Sequence, residues 1–473
     1  MQTLKNHKFE IILSLATLGL LGTFFLGISG VLKPQNSQVT ITSNGDTAST
    51  TPKGAVNSSL SNRLSDGTQS LLPNPSALKQ EGIAAYAKGD YAAAVKALEG
   101  ALAENRNDPE ALIYLNNARI GKQASHTLAV IAPVGKTSEI GLEILRGAGQ
   151  AQQELNQAGG ETGVPIKILI ANDDNDPSFA KSVAAELVNR SEVLGVLGHY
   201  SSGVTLEAAP VYNQGKLPMV SAISTSVQLS GFSPYVLRTV PSDSFAAAAL
   251  AQYMIDGLAA KRAILYYDSN SAYSLSLKSE FATSVFSDGG AVINEYDLAA
   301  ADFDAEEQIS LAKSQGADVI MLASSTDTLE PSFEVMVAVD GELPLLGGDD
   351  LYHPQVLKDG GANAAGLVVA VPWHVLSDPN SDFVTGSRQL WGGDVSWRSA
   401  MAYDAIAALG VALLENPSRE GIRSALHEPN FAADGATGEV HFLPSGDRNR
   451  AAQLVKIEPG QRSGIGFDFI PVD

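Results

Sequence analysis

Residues 193–225 read VLGVLGHYSSGVTLEAAPVYNQGKLPMVSAIST. Val193 to Leu197 is an apolar run of strand length, and Gly198-His199-Tyr200-Ser201-Ser202-Gly203 turns the chain into a short helix. A second strand, Leu217 to Val220, then delivers the hydroxyl-rich turn Ser224-Thr225-Ser226. In open parallel sheets, ligands bind just outside the carboxyl ends of the strands, where free backbone N–H groups and a helix N-terminus carry positive potential. Two such ends side by side, each bearing small hydroxyl residues, make a place for an anion. A carboxylate fits there.

Outward from this stretch the chain alternates strand and helix, which predicts two doubly wound α/β lobes. In the first lobe, Leu128 to Pro133 and Ile166 to Ile170 read as strands, and Ile140 to Ala158 and Ala180 to Val188 as helices. The pattern restarts after Val236-Leu237-Arg238-Thr239-Val240-Pro241. Ala246 to Ile255 is helical there, with strands at Ala263 to Tyr267, Val292 to Tyr296, Val319 to Leu322 and Leu343 to Leu346. Gly366 to Val371 is expected to cross back to the first lobe, where Trp397 to Leu414 supplies a long helix. The tail, with Val440 to Leu443 and Leu454 to Ile457, is expected to cross a third time. Three crossings make a hinge with a cleft between the lobes, the usual route to closure around a ligand.

The order and spacing of several short motifs carry a resemblance. Asn172-Asp173-Asp174-Asn175-Asp176-Pro177 is followed by Ala180, Ala184 and Leu187 on a helix, then by the Gly198-His199-x-x-Ser202 turn and by Ser221-Ala222-Ile223-Ser224-Thr225. From His126 to the C-terminus the chain resembles the type I periplasmic solute-binding proteins, in particular the branched-chain amino acid binding family that feeds ABC transporters. Its acidic segment is one residue shorter than that family's pattern.

The resemblance implies roles for six positions. Ser202 and the turn before it, with Ser201, correspond to residues that hold a ligand carboxylate through hydroxyl and backbone N–H, and Thr225 to a hydroxyl that shares this work. Ser224 stands where a backbone carbonyl accepts from the ligand's ammonium group. Tyr273, in the Asp-x-x-x-x-Tyr segment that begins at Asp268, corresponds to an aromatic ring over the ligand. Asp349, after Leu345-Leu346-Gly347-Gly348, corresponds to the acidic residue facing the ammonium. Each has a plainer reading: a Ser or Thr at a strand end caps turns, Tyr273 suits a half-buried helix start, and either Asp349 or Asp350 could N-cap a helix near His353. Ile140 and Ser324-Ser325 depart from the family by replacing aromatic residues, so its side-chain preference does not transfer. Trp373 is a candidate aromatic wall or a hinge-packing residue.

The chain before His126 has a different character. Lys5, His7 and Lys8 precede an uncharged run from Ile11 to Leu32; as a helix its ~22 residues would extend about 33 Å, enough to span a bilayer. Residues 1–33 therefore read as a transmembrane anchor with a cytoplasmic N-terminus or, alternatively, as a signal sequence. Residues 34–75 are rich in Ser, Thr, Asn and Gly and read as a disordered linker. Over residues 76–123, Gly82, Gly89-Asp90-Tyr91, Ala94, Leu98 and Ala101 fall at the spacing of a tetratricopeptide-like repeat, with Asp108-Pro109 opening a further helix to Ile120. One repeat cannot bury its apolar face alone, so it must dock on the body of the chain, on a second copy or on a partner protein. The binding-protein domain is then 126–473, with lobe 1 at about 126–241 and 372–445 and lobe 2 at about 242–371 and 446–473.

Among 473 residues, 44% are hydrophobic and 18% charged, ordinary values for folded α/β protein. The formal net charge of -21, with no basic stripe, argues against a nucleic-acid partner. Cysteine is absent, which excludes disulfides, a thiol nucleophile and lipidation at cysteine. Gly135-Lys136-Thr137 resembles the end of a phosphate-binding loop, but Val130 stands where its first glycine belongs. The 7 histidines form no metal-ligand pair. Asp173, Asp174 and Asp176 lack the spacing of a calcium loop, and helix capping and solvation account for them. The reading is a protein without catalysis, metal or cofactor. It binds an amino acid or similar small polar solute outside the cytoplasm and hands it to an ABC permease. The alternative is a membrane-anchored sensor or scaffold whose helical repeat holds a partner.

Overall fold

In the computed structural model, residues 60–135, 138–158 and 163–472 are described. The expected anchor or signal run 11–32 and most of the expected tether lie outside them, as do Lys136 and Thr137. Among the described residues no helix is long and apolar enough to cross a membrane.

Two sheets organise the chain. The first has the order β1-β3-β2-β4-β5-β6, built from β1 (Leu64–Ser65), β2 (His126–Ile131), β3 (Ile166–Ala171), β4 (Val193–Leu197), β5 (Met219–Ser221) and β6 (Val236–Arg238). Apart from β1, its strands are parallel. The second runs β13-β12-β11-β10-β9-β7-β8, with β7 (Arg262–Tyr267), β8 (Ala291–Asp297), β9 (Val319–Ala323), β10 (Leu345–Gly347), β11 (Val368–Val371), β12 (Gln453–Pro459) and β13 (Phe467–Pro471). Here β12 and β13 join antiparallel. Central strands such as β4 and β9 are near-continuous apolar runs because helices cover both faces of a parallel sheet.

The strand and helix pattern expected from sequence is present, with boundaries shifted by a few residues. Asp176 N-caps the helix Pro177–Asn189, accepting from Ser178 and Phe179 N–H at 2.9 and 3.1 Å. The long helix Trp397–Glu415 packs on the helix Ser138–Gln157. Their backbones meet at Gly147, where an added Cβ would lie 2.8 Å from Tyr403 N. Val440 to Leu443 is not a sheet strand; isolated bridges join Ala433 to Val440 and Phe442 to Arg448. The chain passes between the sheets after β6, after β11 and before β12. Residues 446–450, expected in lobe 2, instead bond to lobe 1: Arg238 N–H donates to Gly446 O at 2.9 Å, and Arg448 pairs with Asp404 at 3.3 Å. Those contacts draw the boundary close to Gln453.

Before β2, the helices Ala77–Ala87, Tyr91–Glu104 and Pro109–Ile120 form one packed unit. Gly82 lets Leu98 close in, an added Cβ there falling 2.6 Å from Leu98 Cγ, and Gly89 turns the chain at φ +74°. Of the three docking alternatives, the structure shows the body of the chain itself. The helix Pro109–Ile120 is buried along nearly its whole length. Asn117 Nδ2 donates to Ile168 O at 2.8 Å, and its Oδ1 accepts from Ile168 N–H at 3.0 Å.

The expected tether ends earlier than Pro75. Leu64 and Ser65 add to β3 as an antiparallel edge strand, and Arg63 reaches Asp174 at 2.8 Å while lying over the Phe179 ring. A two-residue strand whose partner lies over a hundred residues away leaves no periodicity to read.

Candidate functional site

Parallel strands of both sheets end at one cavity of about 480 Å³. From lobe 1 come Tyr200 to Gly203 after β4, and Ile223 and Thr225 after β5. From lobe 2 come Asp268 and Asn270 to Tyr273 after β7, Ser325 to Thr328 after β9, and Asp349 and Asp350 after β10. Five of the six candidate residues, Ser201, Ser202, Thr225, Tyr273 and Asp349, thus line one space.

Ser224 does not. Its hydroxyl is turned inward, 2.6 Å from Thr205 Oγ1 and donating to Tyr200 O at 3.0 Å. Its carbonyl, expected to accept from a ligand, already accepts from Arg238 Nη1 at 3.3 Å. The motif located the turn but not the direction of each group around it.

The lobe 1 wall rests on a buried polar chain. His199 Nδ1 lies 2.7 Å from Asp173 Oδ2 and Nε2 lies 3.0 Å from Tyr212 hydroxyl, with His199 and Asp173 wholly buried. Asp173 is therefore neither a solvated residue nor a cap, as its acidic neighbours suggested. It holds the turn that presents residues 200–203. Asn175 accepts from Ser201 Oγ at 2.7 Å, and Ser202 Oγ, at the start of the helix Ser202–Gly215, accepts from Ser226 N–H at 3.2 Å. Thr225 lines the cavity, and its buried hydroxyl faces the Asp243 carboxyl behind it.

The lobe 2 wall is acidic. Tyr273 is buried beneath Gly348, whose added Cβ would strike its hydroxyl, and that hydroxyl accepts from Asp350 N–H at 3.4 Å. Burial is the largest influence on Asp349 and Asp350 and pushes both carboxyls up; Asp243 raises Asp349 further and Asp349 raises Asp350, while the Arg398 charge and the Tyr273 hydroxyl oppose. Arg398 reaches across from the start of the long lobe 1 helix, donating to Asp349 O at 3.4 Å, Asp350 Oδ1 at 3.3 Å and Tyr352 O at 3.1 Å. Tyr200 hydroxyl meets Thr326 Oγ1 at 3.2 Å, a second contact between lobes.

Other expected features are placed elsewhere. Trp373 packs edge-on against Phe383 with ring centroids 5.8 Å apart and does not line the cavity. Ile140 lines a separate space of about 640 Å³ with Arg398, Tyr352 and His353. Asp243, Asp350 and Arg398 were not found from sequence as site residues, since nothing local distinguishes them; Asp268 was visible as the first residue of the tyrosine motif.

Asp243 sits behind Thr225, and burial pushes its carboxyl up from 3.8 to about 6 against the nearby Ser276 and Thr225 hydroxyls. Above that pH the folded protein carries a costly buried charge; as pH falls from about 6 towards 3.8 the folded state takes up the proton first, so stability rises. Asp243→Asn is expected to stabilise the chain at pH 8, the gain shrinking to nothing near pH 4. Urea denaturation of both proteins across that range checks this, and a pH-independent difference would rule out Asp243 as the titrating group.

Two α/β lobes joined by three crossings thus bound one cleft, with hydroxyl groups and a helix N-terminus on one wall and carboxyl groups on the other. A family model described as periplasmic binding protein matches residues 127–462, and the chain belongs to that family. It is 30% identical over 151 residues to an amino acid binding protein of Pseudomonas aeruginosa, a match covering 32% of this chain and 38% of that relative. It is 25% identical to Leu/Ile/Val-binding protein homolog 3 of Brucella melitensis, covering 72% of this chain and 94% of the relative. Among solved structures, an ABC transporter substrate-binding protein of Desulfitobacterium hafniense in complex with Leu aligns with TM-score 0.63 at 24% identity, over 73% of this chain and all of that one. The fold is that of the type I periplasmic binding proteins.

Proposed function

We propose that this chain is the extracytoplasmic substrate-binding component of an ABC transporter and captures a free α-amino acid between its lobes, without chemistry of its own. The observation that carries the reading is the polarity of the cleft. Ser202, Thr225 and the N-terminus of the helix Ser202–Gly215 lie on one wall, and the Asp349 carboxyl lies on the other. A carboxylate is favoured at a helix N-terminus. An ammonium favours the ionised form of a buried acid. The relatives named for amino acid, Leu/Ile/Val or Leu binding support the same class.

Ser201 and Ser202 then present donors to the ligand carboxylate, with Thr225 sharing the task, and Tyr273 covers the ligand from lobe 2. Residues 11–32 hold the protein to the cytoplasmic membrane as an uncleaved anchor; mass spectrometry that found a mature N-terminus near Val31 on soluble protein would refute this. The helices of residues 76–123 serve as a structural spacer packed against the binding domain.

Calorimetry and thermal denaturation of the full chain against the standard amino acids test the reading. A ligand at about 100 times its dissociation constant is expected to add about 2.7 kcal/mol to the folded state by mass action. Absence of binding across the whole set would leave the amino-acid reading without support.

A further inference from the structure

We propose that Arg398 is a positioning residue that latches the cleft: its guanidinium holds the two lobes together before a solute arrives, and the same contacts fix the turn that carries Asp349. The latch goes beyond the amino-acid reading and holds for whichever solute the cleft takes.

Arg398 stands at the start of the lobe 1 helix Trp397–Glu415, and its acceptors all belong to one short lobe 2 turn after β10. Nη1 donates to Tyr352 O at 3.1 Å, and Nη2 donates to Asp349 O at 3.4 Å and Asp350 Oδ1 at 3.3 Å. A guanidinium is a rigid planar fork, so the bonds made by its two arms form and break together. Separating the lobes ends all three at once.

Other contacts across the cleft carry less. Tyr200 hydroxyl with Thr326 Oγ1 at 3.2 Å, and Val227 N–H with Ser276 Oγ at 3.0 Å, are single bonds between uncharged groups, which contribute less than bonds to a charge. Arg462 meets Asp394 at 2.5 Å, but these side chains are 38% and 30% exposed, and an ion pair open to water contributes little. Arg398 and Asp350 are only 4% and 15% exposed, so their attraction is screened far less. A buried pair is favourable where further hydrogen bonds satisfy both of its members. Here two carbonyls share the guanidinium, and Asp350 Oδ2 accepts from Thr326 N–H at 3.2 Å. Arg398 Cζ lies 4.5 Å from the centre of the Trp397 ring, while Nε lacks an acceptor.

The latch also shapes the lobe 2 wall. Asp349 O, which accepts from Arg398, closes the turn by accepting from Tyr352 N–H at 3.1 Å. Asp349 and Asp350 line the cavity from this turn. With the lobes apart the turn loses its support from lobe 1, and two adjacent carboxyls lose the positive charge that offsets them. Closure therefore sets the wall that a ligand meets as well as covering it.

The chain has no cysteine, so two introduced thiols take spin labels at chosen places. Ser178→Cys in lobe 1 and Ala301→Cys in lobe 2 replace exposed residues outside the cavity lining. Double electron–electron resonance on the labelled full chain, with no solute added, reads the distance between the lobes. With Arg398 in place, one short distance is expected. Arg398→Met is expected to lower the ratio of closed to open molecules at least about tenfold and so to add a longer distance. Arg398→Lys keeps the charge without the fork; it is expected to fall between the two, and it carries the test if the Met variant does not fold. Asp394→Asn, which breaks the exposed pair, should match the parent. A role confined to folding stability would lower the melting temperature of the Arg398 variants and leave the distance alone. Distances unchanged in both variants, or a parent already open, overturn the latch. The amino-acid reading stands apart from either result, since no solute is present.

Discussion

Glu110→Ala is expected to remove about 3–5 kcal/mol from the unfolding free energy, the cost of leaving one member of a buried ionic group without its partner. Glu110 is wholly buried in the first turn of the helix Pro109–Ile120 and faces Lys79 Nζ at 2.7 Å. Lys79, equally hidden, also reaches Asp108 Oδ2 at 2.8 Å. The Glu110 carboxylate also accepts from Leu71 N–H at 2.6 Å, Ser70 Oγ at 2.8 Å and Tyr114 hydroxyl at 3.0 Å. Truncation strands the ammonium with one acid and takes the acceptor from the Leu71 and Leu72 N–H groups, while Ser70 Oγ and Tyr114 hydroxyl keep Leu72 O and Gln69 O. Glu110→Gln keeps an acceptor and should lose less. None of these residues lines the cleft, so ligand affinity of the folded variant should match wild type. Urea unfolding measures the effect; a loss under about 1 kcal/mol would mean that water reaches the group and that the helix Ala77–Ala87 and residues 70–72 are only loosely joined to the helix Pro109–Ile120.

Asp349→Asn is expected to weaken binding of a zwitterionic ligand about 10- to 150-fold, the range for losing a hydrogen bond to a charged group of about 1.5–3 kcal/mol. Analogues without the α-amine should lose far less. The ligand-free protein should respond in the opposite direction. Burial holds this carboxyl above its ordinary range, so ionised Asp349 costs stability at neutral pH, and the neutral amide removes that cost. The same sign predicts that wild-type affinity for zwitterions declines on acidification, because protonation neutralises the group that receives the ammonium. A residue serving only to cap the short turn Asp349–Leu351 would instead lower stability on substitution and affect both ligand classes alike. Calorimetry with an amino acid and its desamino analogue, beside a melting curve, tells these apart.

Legibility differed between the two sides of the cleft. Lobe 1 could be read closely because its elements are local: an apolar run, a Gly-rich turn and a helix start lie within a dozen residues, so one segment carries strand, turn and donors together. Ser202 and Thr225 stand where that pattern put them. Ser224 is not among the residues that line the cavity, and its carbonyl accepts from Arg238, a residue on a different strand. On lobe 2, Asp349 was found through the Gly347-Gly348 turn, whereas the charge balance around it depends on Arg398 and Asp243, which are distant in the chain.

What the sequence by itself determined was the alternation of strands and helices, the two-lobed class and the hydroxyl-bearing turns at the strand ends. Those follow from hydrophobic periodicity and from Gly, Pro, Ser and Asp acting on their immediate neighbours, over distances a sequence makes visible. Only the tertiary structure decided that Leu64–Ser65 completes the first sheet, that Asp173 supports the site through His199, that Lys79 and Glu110 tie the N-terminal helices to one another, and that four carboxyl groups of the second lobe gather at the cleft. Each of these depends on groups brought together across long separations in the chain, and the free energy of such contacts is set by burial and pairing, which exist only once the chain has folded.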